Sequence, residues 1–125
     1  MSQTPRPRAL YLFRLRYPVG AMCSFAHRLS GVLLALGLPV AAYALRRSLE
    51  DPSGYEAIAR FLHSTCGKAL AVLFLWALAH HVLAGVRHLL MDIGLGSSLA
   101  ASRVSAWSVN LLSILLALVV LGAVL

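Results

Sequence analysis

Charged residues are scarce in this chain of 125 residues: they make up 12% of the sequence, and only four of them are Asp or Glu. A water-soluble domain has about 25% charged residues. Hydrophobic residues account for 60% of the chain, against about 45–50% in soluble domains. The composition therefore excludes an ordinary soluble domain and favours a membrane protein.

The chain is also too short to carry a soluble catalytic domain beside its hydrophobic segments. Three membrane-spanning helices of about 20 residues each would use about 60 positions, and the remaining half would form ends and loops. This arithmetic favours three spans over four, and it excludes a Rossmann domain or a P-loop domain.

Cysteine is rare as well. Cys23 and Cys66 are the two cysteines of the chain, and they lie too far apart for the short ligand spacings of iron–sulfur proteins. We therefore exclude an iron–sulfur cluster held by this chain alone. The sequence also lacks an internal repeat and an acid in the middle of a hydrophobic segment, features that would favour a transporter.

What the sequence has in excess is positive charge, with a net charge of +7. The Lys and Arg residues lie at the ends of hydrophobic runs, where basic side chains act as topology signals and contact lipid headgroups. We therefore predict that this charge meets a lipid bilayer and not a nucleic acid.

The hydrophobic runs predict an all-α membrane protein that forms a single domain over residues 1–125. The predicted spans cover residues 19–45, 68–90 and 104–125. Pro39 is expected to kink the first span, as membrane helices tolerate proline. The connections are a polar stretch at 46–57 and a loop at 91–103, with a short amphipathic helix expected over 55–67.

The basic residues are distributed unequally between the two sides of the predicted spans. Seven lie on the side of the N-terminus: Arg6, Arg8, Arg14, Arg16, Arg28, Arg87 and Arg103. The other side has Arg46, Arg47, Arg60 and Lys68, together with the acids Glu50, Asp51 and Glu56. Because cytoplasmic loops carry the excess of Lys and Arg, we predict a cytoplasmic N-terminus.

Polar residues in the first span share one helical face. Ser24, His27, Arg28 and Gly31 are spaced three and four residues apart, which places them on one side of a helix. Two interpretations remain open. Arg28 could extend to the headgroups while Ser24 bonds its own backbone, or the face could form a polar pocket for a partner helix or a ligand with carbonyl or carboxylate oxygens.

The second span carries two neighbouring polar stripes, His81–Gly85–His88 and His80–Ala84–Arg87. His81 lies about 16–20 Å from either charged boundary at 1.5 Å per residue. A histidine at that depth is either neutral and hydrogen-bonded or bound to a metal. Heme ligation by His81 is therefore one of two interpretations, and Gly85 would let a flat macrocycle approach the backbone.

The spacing of His81 and His88 limits the ligands of such a heme. Seven residues separate them by about 10 Å along a helix, so both cannot bind one iron from opposite sides. The second axial ligand would come from another helix, either from His27 or from a partner subunit. His88 and Asp92, four residues apart, could instead form a hydrogen-bonded pair at the membrane interface.

Two segments resemble the signatures of a known family, the cytochrome b membrane-anchor subunits of succinate dehydrogenase (complex II). Residues 24–31 (SFAHRLSG) resemble its S-x-x-H-R-x-[ST]-G motif, and residues 81–92 (HVLAGVRHLLMD) resemble its H-x-x-x-G-x-R-H-L-x-x-D motif. Arg6-Pro7 and Pro18 also fit. Upstream, Arg8-Ala9-Leu10-Tyr11 replaces the Ser-Pro-His stretch of many members, so the resemblance does not extend to that contact with the soluble subunits.

The resemblance assigns roles to five residues. His81 matches the axial ligand of heme b, whose iron would take its other ligand from a second membrane-anchor subunit. Ser24 and Arg28 match residues that line the ubiquinone site. His27 and Arg28 match positions near the heme propionates, and His88 is a candidate propionate contact.

The resemblance also implies an activity for the assembled complex. The chain would belong to succinate:ubiquinone oxidoreductase of a bacterial inner membrane, a respiratory enzyme of the tricarboxylic acid cycle, with flavoprotein and iron–sulfur subunits that oxidise succinate and pass electrons to quinone. No catalytic residue is expected in this chain. The alternatives are the anchor of a fumarate reductase, which works in the opposite direction, and a membrane scaffold without redox function.

Overall fold

The computed structural model describes residues 18–125, and this part of the chain consists of helices and short connections without a strand. The helices are α1 (Val19–Glu50), α2 (Pro52–His63), α3 (Thr65–Asp92) and α4 (Leu99–Val124). Three of them, α1, α3 and α4, are long and apolar enough to cross a membrane. The predicted all-α fold with three spans is therefore confirmed. Arg6, Arg8, Arg14 and Arg16 of the charge count lie outside the described residues.

The spanning helices are longer than the hydrophobic runs that predicted them. α1 has 32 residues, about 48 Å at 1.5 Å per residue, whereas the hydrocarbon core is about 30 Å thick. It continues through Pro39 and carries its last turns beyond the hydrocarbon. The stretch predicted as a connection at 46–57 is thus mostly helical, and the loop predicted at 91–103 shrinks to residues 93–98, because Leu, Arg and Glu favour helix in water as well.

A single residue, Asp51, separates α1 from α2. Its backbone is extended, as the following Pro52 requires. The Asp51 carboxylate caps α2 by accepting from the Gly54 N–H at 2.7 Å, and it also binds Arg47 Nη1 at 2.6 Å. Hydrogen bonds from the Ser53 hydroxyl, from Arg47 and from the Gly54 N–H hold the pKa of Asp51 well below its usual range.

The short helix expected over 55–67 is found as α2, which starts and ends a few residues earlier. Ser64 separates it from α3, and the Ser64 hydroxyl accepts from the Gly67 N–H at 3.1 Å to cap α3. Because this cap fixes a new helix start at Thr65, the amphipathic segment ends at His63. α2 packs against α1 and α3 and so covers one end of that helix pair.

The interior of the described bundle is small and unusually polar. α3 contacts each of the other three helices. The buried hydrophobic side chains are mostly small, and four polar side chains are buried with them: Ser30, His80, Arg87 and Ser113. Large aliphatic side chains instead cover the outside of the spans, as expected when lipid replaces water as the solvent. Polar groups inside such a bundle mark candidate sites.

The start of α1, the end of α3 and the start of α4 meet at one end of the bundle, which we call the N-terminal end. Arg87 shows this arrangement, because its Nη2 donates to the Ser102 hydroxyl of α4 at 2.9 Å and lies 4.0 Å from the position of a Cβ at Gly20 of α1. The opposite end, covered by α2, is the α2 end. The two motif segments, residues 24–31 and 81–92, lie in the half of the bundle nearer the N-terminal end.

Candidate functional site

The two polar stripes of α3 face different surroundings. His80, Ala84 and Arg87 are all buried among the three spanning helices, and we call them the buried stripe. His81, Gly85 and His88 are only partly covered, and we call them the open stripe. Because adjacent residues of a helix are rotated by about 100°, two neighbouring histidines serve two different surfaces.

The hydrogen bonds of His81 fix the role of each of its ring nitrogens. Its Nδ1 lies 3.2 Å from the backbone oxygen of His27 and 3.3 Å from the Ser30 hydroxyl, which itself donates to the His27 oxygen at 2.8 Å. A carbonyl oxygen can only accept, so we assign the proton to Nδ1. Nε2 then carries a free lone pair, the arrangement found in metal-bound histidines.

Two further histidines surround the His81 ring. The His27 ring stacks on it with a centroid distance of 4.3 Å and planes inclined by 21°. The His88 ring lies 5.2 Å from that of His27. Gly31 permits this approach, because a Cβ there would lie 3.1 Å from His81 Cε1. His27, His81 and His88 therefore form one histidine cluster between α1 and α3.

Ser24 and Arg28 lie beside the histidine cluster on the same side of α1. Arg28 is exposed, and its Nε reaches no further than the Ser24 backbone oxygen at 3.5 Å. Within residues 18–125 the Ser24 hydroxyl makes no hydrogen bond, although it is partly covered. Five other helical serine hydroxyls lie 2.8–3.2 Å from a carbonyl oxygen of the preceding turn: those of Ser30, Ser48, Ser105, Ser108 and Ser113. The interpretation in which Ser24 bonds its own backbone is therefore not what the structure shows.

Charge is unbalanced at the N-terminal end. The ion pairs of the described residues all lie at the α2 end, where Arg46 and Arg47 bind Glu50 and Asp51 at 2.6–3.4 Å. At the other end Arg28, Arg87 and Arg103 have no acidic partner among residues 18–125. His88 and Asp92 do not form the pair considered from sequence, since the described part of the chain has no hydrogen bond between them and the His88 ring lies near His27 instead. The N-terminal end is thus suited to bind anionic groups.

The polar side chains of the buried stripe find hydrogen-bond partners in α1 and α4. His80 Nδ1 lies 3.1 Å from the Ser113 hydroxyl of α4, and its Nε2 lies 3.4 Å from the backbone oxygen of Cys23 in α1. Arg87 donates from Nε to the Ser105 hydroxyl at 3.0 Å and from Nη2 to Ser102. Both nitrogens of His80 are occupied, so this ring has no lone pair free for a metal.

An apolar cavity of the described residues is remote from these side chains. It measures about 650 Å³ and lies at the α2 end, where apolar residues of α1, α2 and α3 such as Val40, Phe61 and Phe74 line it. It contains neither a histidine nor a charged side chain. The candidate site is therefore the histidine cluster with Ser24 and Arg28.

Comparison with known proteins identifies the family of the chain. The sequence profile of the succinate dehydrogenase/fumarate reductase transmembrane subunit family matches residues 2–120. The chain belongs to this family. A succinate dehydrogenase cytochrome b556 subunit of Coxiella burnetii is 36% identical over 109 residues, which cover 86% of this chain and 87% of that protein.

Other succinate dehydrogenase cytochrome b556 subunits are similar to this chain over nearly their whole length. The subunit of Paracoccus denitrificans is 28% identical over 116 residues, or 93% of this chain and 89% of the relative. That of Rickettsia typhi is 32% identical over 111 residues, covering 89% and 86% of the two chains. The chain is thus a multi-pass membrane subunit of the succinate dehydrogenase type.

Sequence reasoning named the side chains of the candidate site but missed the serines that form hydrogen bonds beside them. His27, His81 and His88 are brought into one cluster, and Ser24 and Arg28 adjoin it on α1. The missed residues are small hydroxyl side chains that bond the histidines and Arg87: Ser30, Ser102, Ser105 and Ser113. Their spacing in α4, with Ser102 and Ser105 three apart and Ser113 eight further on, was a signal for a helix face that packs inward.

Proposed function

We propose that this chain is the membrane anchor of a succinate:ubiquinone oxidoreductase in a bacterial inner membrane, with its N-terminus in the cytoplasm. Family membership supports the anchor role, and the excess of basic residues at the N-terminal end supports the orientation. The family description covers both succinate dehydrogenase and fumarate reductase, but the relatives are named as succinate dehydrogenase subunits, which favours succinate oxidation.

His81 is the proposed axial ligand of heme b, and the state of its ring carries the proposal. The bond from Nδ1 to the His27 carbonyl orients the imidazole and leaves Nε2 to bind iron. His80, its neighbour, has no such nitrogen. The relatives are named cytochrome b556, which supports a heme at this place. Heme b with two axial ligands supplies one-electron storage and transfer.

The second axial ligand is proposed to come from the partner anchor subunit. Two histidines that bind one iron stand on opposite sides of the macrocycle, with the metal between them. The rings of His27 and His81 instead stack directly on each other at 4.3 Å, which leaves no space for an iron between them. This contact disfavours His27 as the second ligand. It supports a role for His27, together with His88 and Arg28, in binding the carboxylates of the heme propionates.

Ser24 and Arg28 are the proposed donors to ubiquinone. A hydroxyl and a guanidinium can both donate to a quinone carbonyl oxygen and stabilise the negative charge that develops there during reduction. The Ser24 hydroxyl is not engaged within residues 18–125, and Arg28 is exposed beside it. Both groups are therefore available for a substrate at the membrane surface. The flavin and the iron–sulfur clusters would lie in two other subunits, which this short chain cannot replace.

The purified complex provides the test. We expect a reduced-minus-oxidised spectrum with a b-type band, together with three co-purifying chains: a flavoprotein, an iron–sulfur protein and a second membrane anchor. A complex without a reducible b-type band would contradict the heme assignment and favour a scaffold without redox function.

A further inference from the structure

The two adjacent histidines of α3 bind consecutive turns of α1. His80 Nε2 lies 3.4 Å from the oxygen of Cys23, and His81 Nδ1 lies 3.2 Å from the oxygen of His27, four residues further along. The turn of α1 between these two carbonyls contains Ser24. Residues 23–27 are thus held at both ends by α3.

The protons of the His80 ring can be assigned from its partners. The Cys23 oxygen can only accept, so Nε2 carries a hydrogen. A neutral ring then accepts the single hydrogen of the Ser113 hydroxyl at Nδ1, in place of the Asn110 carbonyl oxygen that lies 3.0 Å from the same hydroxyl. This tautomer is neutral and uses both nitrogens, which suits a side chain that is 1% exposed inside a membrane bundle. It is the opposite tautomer from that of His81.

Packing alone does little to fix the position of α1 along α3 at this level. The apolar cluster here consists of Cys23, Ala84, Ala106 and Val109, with Val19 and Leu83 packed against it. Small side chains let helices approach closely but interlock weakly as they slide past each other. A hydrogen bond is directional, so the bond of His80 to Cys23 restricts this sliding.

We propose that His80 is a positioning residue for the quinone side of the site. By binding the Cys23 carbonyl while Ser113 of α4 anchors its other nitrogen, His80 sets the axial register of residues 23–27 against α3. That register fixes the height of Ser24 and Arg28 relative to His81. The effect on quinone binding rests on the proposed function of Ser24 and Arg28, whereas the register of residues 23–27 does not.

The test compares His80→Phe with His80→Gln in the assembled complex. Phe keeps a ring of similar size without a donor, whereas the Gln amide can still donate to the Cys23 oxygen. For His80→Phe we expect the KM for a short-chain ubiquinone to rise about 5- to 10-fold, the ratio that one net hydrogen bond supports. Heme content and turnover with an artificial acceptor that bypasses the membrane should stay normal, and His80→Gln should restore the KM to within about twofold.

A distance measurement separates this inference from the proposed function. Spin labels on Phe25→Cys in α1 and Val86→Cys in α3, both exposed positions, report the register by pulsed EPR in a Cys66→Ser background. The distance distribution should shift or broaden in His80→Phe and not in His80→Gln. An unchanged distance and KM in His80→Phe, or equal changes in both variants, would show that His80 only fills space and would overturn the proposal.

Ser113→Ala tests the same idea without replacing the histidine. Loss of the Nδ1 partner frees the ring to rotate, so a smaller change of the distance and of the quinone KM in the same direction is expected. Wild-type values in Ser113→Ala would contradict the anchoring role of α4. A wild-type complex without heme would refute the proposed function, while the EPR distances would still decide the register.

Discussion

The two stripes of α3 contain similar side chains and differ in what satisfies them. In the buried stripe, His80 and Arg87 find all their recorded partners in α1 and α4 of this chain, mostly serine hydroxyls and backbone oxygens. In the open stripe, His81 uses one nitrogen internally, and Gly85 and His88 remain partly uncovered. A buried ring with partners at both nitrogens fits a structural role, whereas a partly open ring with a partner at one nitrogen is a candidate for ligand binding.

The same distinction separates the serines of α1. Ser30 is buried and bonded to His27 and His81, whereas the Ser24 hydroxyl has no partner in the described part of the chain and lies partly open. Two serines less than two helical turns apart thus differ in role: Ser30 is a supporting residue and Ser24 is a candidate ligand-binding residue.

Exchanging the two adjacent histidines for leucine should give the largest difference. His81→Leu removes the proposed iron ligand, so we expect the low-spin b-type spectrum of the complex to disappear or convert. His80→Leu should keep that band, because both nitrogens of His80 are already occupied. The absorbance of the b-type band per mole of flavin measures the outcome for both variants. A normal band in His81→Leu would show that the open stripe does not hold the heme.

Ser24→Ala removes one hydroxyl from the open side of α1 and leaves the helix and its charge unchanged. We expect quinone reductase activity to fall about 10- to 100-fold, which corresponds to about 1.4–2.7 kcal/mol. Arg28→Leu should cost more and also disturb the heme, because it removes a charge with up to five donor hydrogens. Succinate oxidation with an artificial acceptor is the control and should stay normal. Wild-type quinone turnover in both variants would refute this site.

Arg87→Leu breaks the buried stripe where α3 joins α4. The change removes three hydrogen bonds to Ser102 and Ser105, and we expect a loss of about 2 kcal/mol of stability, given the modest worth of each such bond in a membrane bundle. Thermal unfolding of the complex in detergent measures this, with Arg103→Leu, an exposed cation, as the matched control. Equal midpoints for the two variants would argue against a buried clamp.

Gly31→Ala is expected to move the His81 ring without removing it. The added methyl would lie 3.1 Å from His81 Cε1, so the ring must shift by a few tenths of an ångström. We expect either a heme occupancy lowered by about twofold or a lower midpoint potential of the heme, because the orientation of a ligand tunes a metal site. Gly122→Ala, where a Cβ meets no atom within 4 Å, should match the wild type in a redox titration.

The turn at Asp51 shows a third kind of polar site, one in contact with water. Because the folded carboxyl has a lowered pKa, its contribution to stability is present above its unfolded pKa of about 4 and is lost as pH falls through the folded value. Hydrogen exchange of the Gly54 amide should therefore show the same protection at pH 7 and pH 5 after correction for the intrinsic rate. Asp51→Ala, which removes the accepting oxygen, should expose this amide and leave the heme spectrum unaffected, and a pH-dependent loss above pH 5 would contradict the assignment.

Hydropathy was sufficient to predict the number of spans and their centres, because removal from water dominates the placement of 20-residue apolar segments. It could not locate their ends. Glu50 and Asp92 lie at the ends of helices that continue past the apolar run, since charged residues outside the hydrocarbon do not stop a helix. Asp51 and Ser64 stop and restart the chain through local hydrogen bonds, which hydropathy does not record.

The sequence by itself determined the family and the three spans, and it named the candidate side chains of the site, because motif spacing fixes which residues share a helix face. It also favoured His81 over His80, through the stripe with Gly85 and His88. The tertiary structure decided which stripe is buried, which nitrogens of His80 and His81 have partners, and that the Ser24 hydroxyl has none among residues 18–125. These depend on where α1 and α4 place the oxygens of Cys23, His27 and Ser113 around α3, and the direction of a hydrogen bond between helices is set by their packing and not by the order of residues along one of them.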